Sequence, residues 1–318
     1  MTSEKIRELL NSPKEPGLEN IADPAQYEKE ILKGVTMDVS MYGNDLDKFC
    51  PHKQGQLTCV VGHPNIGKTT TELYLLSILA KKKNKKILVY SAENPIRIVH
   101  REFTRFFTGH GNVSAEDLDQ TRQLIRYIKH ERRYSYKDLL IQATYLLDAG
   151  FEFDEFFIDP YNSLMVDTGN RLPMHEYHQE AIEELRIFTQ STGKGITLNC
   201  HTVTEAQRVK LDANGCRPAP HMSDVEGGGK FSNKPDDVLV FHRQINSNIT
   251  EEKYITEIHV GKVRNQEFGG HQTPKDNPVK FKMRLDRTGF DVLGSYEHKI
   301  QEYKQISFSE SRNNDRPF

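Results

Sequence analysis

The sequence predicts an α/β fold with a mostly parallel central sheet, helices on both of its faces and a β-hairpin region at the C-terminal end. Three observations predict it. A glycine loop, Gly62-His63-Pro64-Asn65-Ile66-Gly67-Lys68-Thr69-Thr70, joins a short apolar run to a helical one. Further short apolar runs recur between helix-length segments and end in acidic or polar residues; strands alternating with helices are the pattern of a parallel sheet. Beyond residue 254 the helical segments give way to strand-like, hairpin-forming runs.

Composition bounds what this fold can do. The chain has 318 residues, enough for one large or two small domains. Hydrophobic residues make up 36% of it, with a mean hydropathy of -0.68, so it is polar yet able to build a core. Its 43 basic and 45 acidic residues leave a net charge of -2. Any contact with nucleic acid must therefore come from a local loop or an assembled channel, not from a whole-chain basic field. No apolar run approaches the roughly 20 residues of a membrane span, and the charged N-terminus lacks a signal-peptide core. Cys50, Cys59, Cys200 and Cys216 form no C-x-x-C pair. They read as reduced structural thiols in a cytoplasmic setting, without zinc.

In chain order, residues 1–35 read as an arm broken by Pro13, Pro16 and Pro24, with a short helix over 25–32. It is either a loose terminus or a segment that docks on a neighbouring subunit. Residues 56–61 form the first core strand. The loop that follows fits G-x-x-x-x-G-K-[ST] at every fixed position. Its glycines let several backbone N–H groups point at one phosphate, and the helix starting behind it adds its positive end. All of Gly62 to Thr70 is thus a candidate nucleotide cradle. Lys68 would reach the β- and γ-phosphates, and the Thr69 hydroxyl would hold Mg²⁺. The helix ends in the basic run Lys81 to Lys86, read as a solvated terminus.

Residues 87–91 form the next strand. Glu93 just past it is positioned to orient or deprotonate a water. Residues 96–150 are largely helical by period, with a loop over Gly109 to Ser114 and with Phe103, Phe106, Phe107, Leu124, Ile125 and Ile128 on apolar faces. Residues 155–159 form a strand ending in Asp159, the acid expected to bind Mg²⁺ through water beside a phosphate loop. A loop over 160–174 carries Arg171, and a helix fills 175–192. The strand 195–201 ends in His201, suited to sensing a γ-phosphate. The long polar loop 202–221 carries Arg208, Lys210 and Arg217, cations able to grip a phosphodiester backbone. Residues 237–243 form another strand, hairpin strands follow over 254–263, 279–285 and 289–293, and a polar tail runs from 294 to 318.

These elements, in this order, resemble the ATPase domain of DnaB- and Twinkle-type replicative hexameric helicases, a RecA-like P-loop fold, with phage members of that family most alike. The resemblance covers residues 36–293. It rests on GHPNIGKTT, SAEN, FFIDPYNSL, STGKGITLNCHT, SDVEGGGKFSNKPDDVLVFHR and, above all, HVGKVRNQEFGG. It implies ATP or another NTP with Mg²⁺, single-stranded DNA, a homo-oligomeric ring, and a primase or polymerase as a replisome partner. By the same resemblance Glu93 is the catalytic base, Asp159 the Walker B acid, and His201 the relay to the following DNA-binding loop. Lys262 and Arg264 are the pair that crosses the subunit boundary, with Arg264 the arginine finger, and Arg243 lies near the nucleotide. Two features depart from the family pattern. The sequence has room for neither a primase nor a helical collar, which suits a stand-alone helicase or one half of a split primase–helicase. Ser232 stands where some relatives carry an arginine, for which Lys230 or Lys234 would substitute. The alternative reading is a RecA-like recombinase or recombination mediator that forms filaments on single-stranded DNA; a non-enzymatic nucleotide switch fits less well, having no need of both Glu93 and Arg264.

Overall fold

A computed structural model of the chain describes residues 37–166, 173–211, 213 and 215–293. The expected N-terminal arm, Arg171 and the polar tail lie outside the described residues.

The core strands are continuous apolar runs, and that composition sends them to the middle of a sheet covered on both faces. In chain order they are β3 (Leu57–Gly62), β4 (Ile87–Ser91), β5 (Ile125–Tyr127), β6 (Glu155–Asp159), β7 (Gly195–His201) and β8 (Asp237–His242). A small ribbon of β1 (Val39–Ser40) and β2 (His52–Lys53) precedes them. Three further strands, β9 (Ile255–Lys262), β10 (Val279–Met283) and β11 (Phe290–Leu293), follow. The sheet has 9 strands in the order β11-β10-β9-β8-β3-β7-β6-β4-β5. From β5 to β8 every pairing is parallel, and from β8 to β11 every pairing is antiparallel. The expected mixed architecture is therefore the one observed.

Two apolar layers cover the sheet. Helices α2 (Lys68–Lys83) and α3 (Ile96–Thr108) cover one face, where Leu73, Leu76 and Phe103 meet Phe281 and Phe290. On the other, α5 (Tyr136–Asp148) and α6 (Met174–Thr192) bury Leu139, Leu140, Ile182 and Leu185. Shorter helices are α1 (Leu46–Phe49), α4 (Ala115–Thr121), α7 (Thr204–Gln207) and α8 (Gly229–Asn233). Both α4 and α5 open on a capping box, Ser114 with Asp117 and Ser135 with Asp138.

Two expectations need correcting. Ile125 lies not on a helix but in β5, where it pairs with Ile87, and Tyr127 pairs with Val89; Ile128 follows just after. The exposed Arg126 between Ile125 and Tyr127 completes a strand alternation, and pairing with the edge of β4 overrides the local helical period. The stretch after β7 is also more ordered than a bare loop. It contains α7, and Thr202 bridges Val225.

The chain leaves β3 for β4 on one side of the sheet and later returns to add β8 on the other. That reversal opens a crevice at the carboxyl ends of the parallel strands. Gly62, Ser91, Asp159 and His201 all stand there.

Candidate nucleotide site

The phosphate loop is shaped by two left-handed residues, Asn65 (φ 62°) and Gly67 (φ 86°). Asparagine and glycine tolerate that conformation where other side chains are strained. Gly62 is constrained differently: a Cβ there would come within 2.7 Å of the Phe241 carbonyl oxygen on β8 and of Ile66 Cδ1. The glycines of the motif thus serve both the curl of the loop and its close seat on the sheet.

The functional side chains converge at the head of α2. Lys68 is buried, and its Nζ donates to the carbonyls of Gly62 and His63, each at 2.9 Å, and stands 3.3 Å from His201 Nδ1. Burial pushes its ammonium down to about 8, against the opposing pull of Asp159. The Thr69 hydroxyl donates to Asp159 Oδ2 at 2.8 Å. The other carboxylate oxygen of Asp159 accepts from Asn199 Nδ2, also at 2.8 Å. Burial raises the Asp159 carboxyl above its ordinary value, while the bonds from Asn199 and Thr69 oppose the rise. Glu93 projects from the turn after β4 with half its side chain exposed, and its Oε1 lies 3.2 Å from His201 Nε2. His201 is held down by burial and then by the Lys68 charge, which leaves a neutral ring to bridge lysine and glutamate.

These groups line a cleft of about 670 Å³ that also takes in Asn65, Thr70, Arg243 and Tyr254, and the β10–β11 turn at Leu285. Arg243 packs on the loop itself: its Nη1 would be 3.2 Å from a Cβ added to Gly67. Burial lowers its pKa, and among the described residues its buried Nε has no hydrogen-bond partner. A guanidinium left uncompensated beside a phosphate loop suits a nucleotide. For a divalent cation, Thr69 and Asp159 offer hard oxygen donors of the kind Mg²⁺ takes alongside substrate phosphates and water. Among the described residues no cluster of three or more His, Cys, Asp or Glu side chains could hold a metal by itself.

Two sequence-predicted groups stand elsewhere. Lys262 ends the antiparallel strand β9 opposite Val238, level with the start of β8, and Arg264 follows two residues beyond the strand. The Arg264 backbone N–H donates to Asp237 Oδ1 at 3.0 Å, and Asp237 pairs with Thr58 on β3. From Thr58 to Gly62 the strand climbs roughly 13 Å, at about 3.3 Å per residue. The pair is thus at the amino ends of the parallel strands, across the sheet from its own phosphate loop. Arg208 and Lys210 are exposed on the segment after α7. That segment is tied to the loop, since His63 Nδ1 and Thr202 Oγ1 are 2.8 Å apart. Ser232 is buried and turns its hydroxyl back onto the Gly229 carbonyl. Lys230 and Lys234 bind Gln179 and Glu183 of α6, so neither reaches the cleft.

Sequence reading missed Asn199 and Asn162. Asn199 shares a strand face with His201 by the period of two, a signal present in the run. Asn162 Oδ1 accepts the His201 backbone N–H at 2.7 Å, a long-range contact that no local pattern reveals.

No family model matches this chain. It is 25% identical over 248 residues, 73% of its own length, to the Twinkle homolog protein, chloroplastic/mitochondrial, of Arabidopsis thaliana, and spans 34% of that protein. In fold it matches a solved ATPase domain with TM-score 0.66 and 13% identity, covering 87% of this chain and all of that one. It matches a DnaB-like replicative helicase, in a structure that describes interactions with primase, with TM-score 0.58 and 13% identity over 91% of this chain and 70% of the other. A KaiC-like protein from Pyrococcus horikoshii gives TM-score 0.54 and 16% identity, over 81% of this chain and all of that one. The resemblance to DnaB- and Twinkle-type ATPase domains therefore holds in sequence and in fold, and the fold is RecA-like.

Proposed function

We propose that this chain is an ATP-driven translocase that acts on single-stranded DNA as a replicative helicase, hydrolysing ATP at the seams between its own copies. One observation carries the reading. The cradle of Lys68, Thr69, Glu93, Asp159 and His201 sits at one end of the sheet, and the Lys262–Arg264 pair sits at the other. A planar guanidinium that cannot serve its own triphosphate is suited to the triphosphate of a neighbour, where it would offset charge developing on the transferring phosphoryl group.

In this reading the loop amides and Lys68 bind the phosphates. Thr69 and Asp159 hold Mg²⁺, which when bound offsets phosphate charge. Glu93 orients and deprotonates the attacking water, and His201 holds the Glu93 carboxylate in place. His201 and Thr202 also begin the segment carrying Arg208 and Lys210, so a change at the phosphates has a short path to the cations offered to DNA. A closed ring suits a site completed in trans, and a primase or polymerase is the replisome partner that the likeness to DnaB-type helicases suggests.

Lys68→Ala and Arg264→Ala are each expected to abolish DNA-stimulated ATP hydrolysis. Mixing the two variants should restore part of it, at seams that join an intact Lys68 to an intact Arg264. An Arg264→Ala protein with full activity refutes the reading. Electron microscopy with single-stranded DNA and a non-hydrolysable nucleotide is expected to show closed rings; filaments would favour the recombinase alternative.

A further inference from the structure

Two arginines, Arg186 and Arg264, meet at the amino end of β8 on one buried carboxylate, that of Asp236. Its side chain is only 6% exposed. Its Oδ2 accepts the Leu57 backbone N–H at 3.1 Å, which fixes it to the first residue of β3. Its Oδ1 is shared: Arg186 Nε of α6 donates to it at 3.1 Å, and Arg264 Nε lies 3.3 Å away. The backbone of Arg264 is held as well, through its N–H on Asp237 and through its carbonyl, which accepts from Lys53 Nζ at 3.0 Å. Lys262 is tethered separately, its Nζ donating to the carbonyls of Asn233 and Pro235 at 2.6 and 2.7 Å.

The manner of this grip is informative. Asp236 meets Arg264 at Nε, the stem side of the guanidinium. Among the described residues the two Nη nitrogens of Arg264 have no partner, and the side chain is 34% exposed. A guanidinium held by its stem keeps its forked end free for a second anion. The two carboxylates of Asp236 and Asp237 face four cations, Arg186, Arg264, Lys53 and Lys262, so the cluster stays positive, as a receptor for phosphate must.

We propose that Asp236 is a positioning residue: its carboxylate sets the direction in which Arg264 reaches the triphosphate held by a neighbouring copy. The inference rests on the trans reading above. It assigns Asp236 no contact with substrate; the residue acts through Arg264 by removing the freedom of a long side chain before the neighbour docks.

The test is Asp236→Asn in the full chain, with ATP and single-stranded DNA. The expected result is a fall in kcat of up to about 100-fold, the scale of a misplaced catalytic group. KM and the binding of a fluorescent nucleotide to the variant's own site should be unchanged. Mixing with Lys68→Ala chains should recover activity, because those chains supply a correctly aimed Arg264 to the intact cradle of the Asp236→Asn chains. Full activity in Asp236→Asn overturns the proposal, as does a defect that mixing fails to relieve, which would mean damage within the variant's own subunit. If loss of the charge unfolds the chain, Asp236→Glu keeps the charge one methylene away and is read by the same mixing assay. An active Arg264→Ala protein would refute the trans reading itself, whereas an inactive Arg264→Ala beside a fully active Asp236→Asn refutes only the role of Asp236.

Discussion

Lys68 is buried and, among the described residues, bonded to carbonyls and a histidine ring, with Asp159 and Glu93 nearby as its opposing charges, so without a nucleotide burial outweighs the compensation of its charge. Its pKa of about 8, against an ordinary 10.5, has two consequences of opposite sign. For stability, the folded pKa lies below the unfolded one. The destabilising cost of burying the charge is therefore fully present below about pH 8 and is relieved as pH climbs toward 10.5. For binding, a triphosphate favours the ammonium and raises its pKa, so nucleotide affinity is expected to weaken as pH rises through 8, by up to about tenfold per pH unit. Calorimetry of ADP or ATP-analogue binding at pH 8.5, in two buffers of different ionisation heat, should detect uptake of a proton. No proton uptake there would mean that Lys68 is already fully charged in the free protein.

At the scale of elements, most of the architecture was legible because the core strands announce themselves. Runs such as Ile87–Ser91, Glu155–Asp159 and Gly195–His201 are too short and too apolar for surface helices, and their polar last residues mark one end of the sheet. What was not legible depended on partners distant in sequence. The three-residue alternation of β5 is too short to distinguish it from a helix turn; the open edge of β4 decides it. The joint hold of Asp236 on α6, β3 and Arg264 brings together residues some 28 to 180 positions apart and leaves no spacing to read. The phosphate loop is the opposite case, since its backbone demands are written in the motif. Gly67→Ala is expected to cost about 1–2 kcal/mol for the left-handed backbone alone, and its new Cβ would press on the Arg243 guanidinium. Gly150→Ala is a matched control: it has a similar φ of 80° with nothing within 4 Å. Denaturant melts should show comparable losses of stability for both, while only Gly67→Ala weakens nucleotide binding. Equal binding by the two variants would sever the link between loop shape and affinity.

For the whole molecule, the arrangement of charge and site argues that the working unit is larger than one chain. A net charge of -2 provides no general attraction for DNA. Arg208 and Lys210 are isolated cations on each copy, and only several copies facing one strand would make a continuous track for phosphates. On the proposed reading, the same multiplicity would bring the Arg264 of one copy to the cradle of the next. Both requirements make activity depend on association, so ATP turnover per chain is expected to rise steeply with protein concentration and to level off once assembly is complete. Arg208→Ala and Lys210→Ala should leave that concentration dependence intact in the absence of DNA, because neither residue lies at the seam chemistry. They should reduce the stimulation by DNA, and flatten its dependence on salt by about one phosphate contact for each cation removed. Turnover measured across a dilution series, alongside light scattering, separates the two effects. A specific activity that stays constant down to concentrations where only single chains scatter would refute the trans reading, because every catalytic group would then reside within one copy.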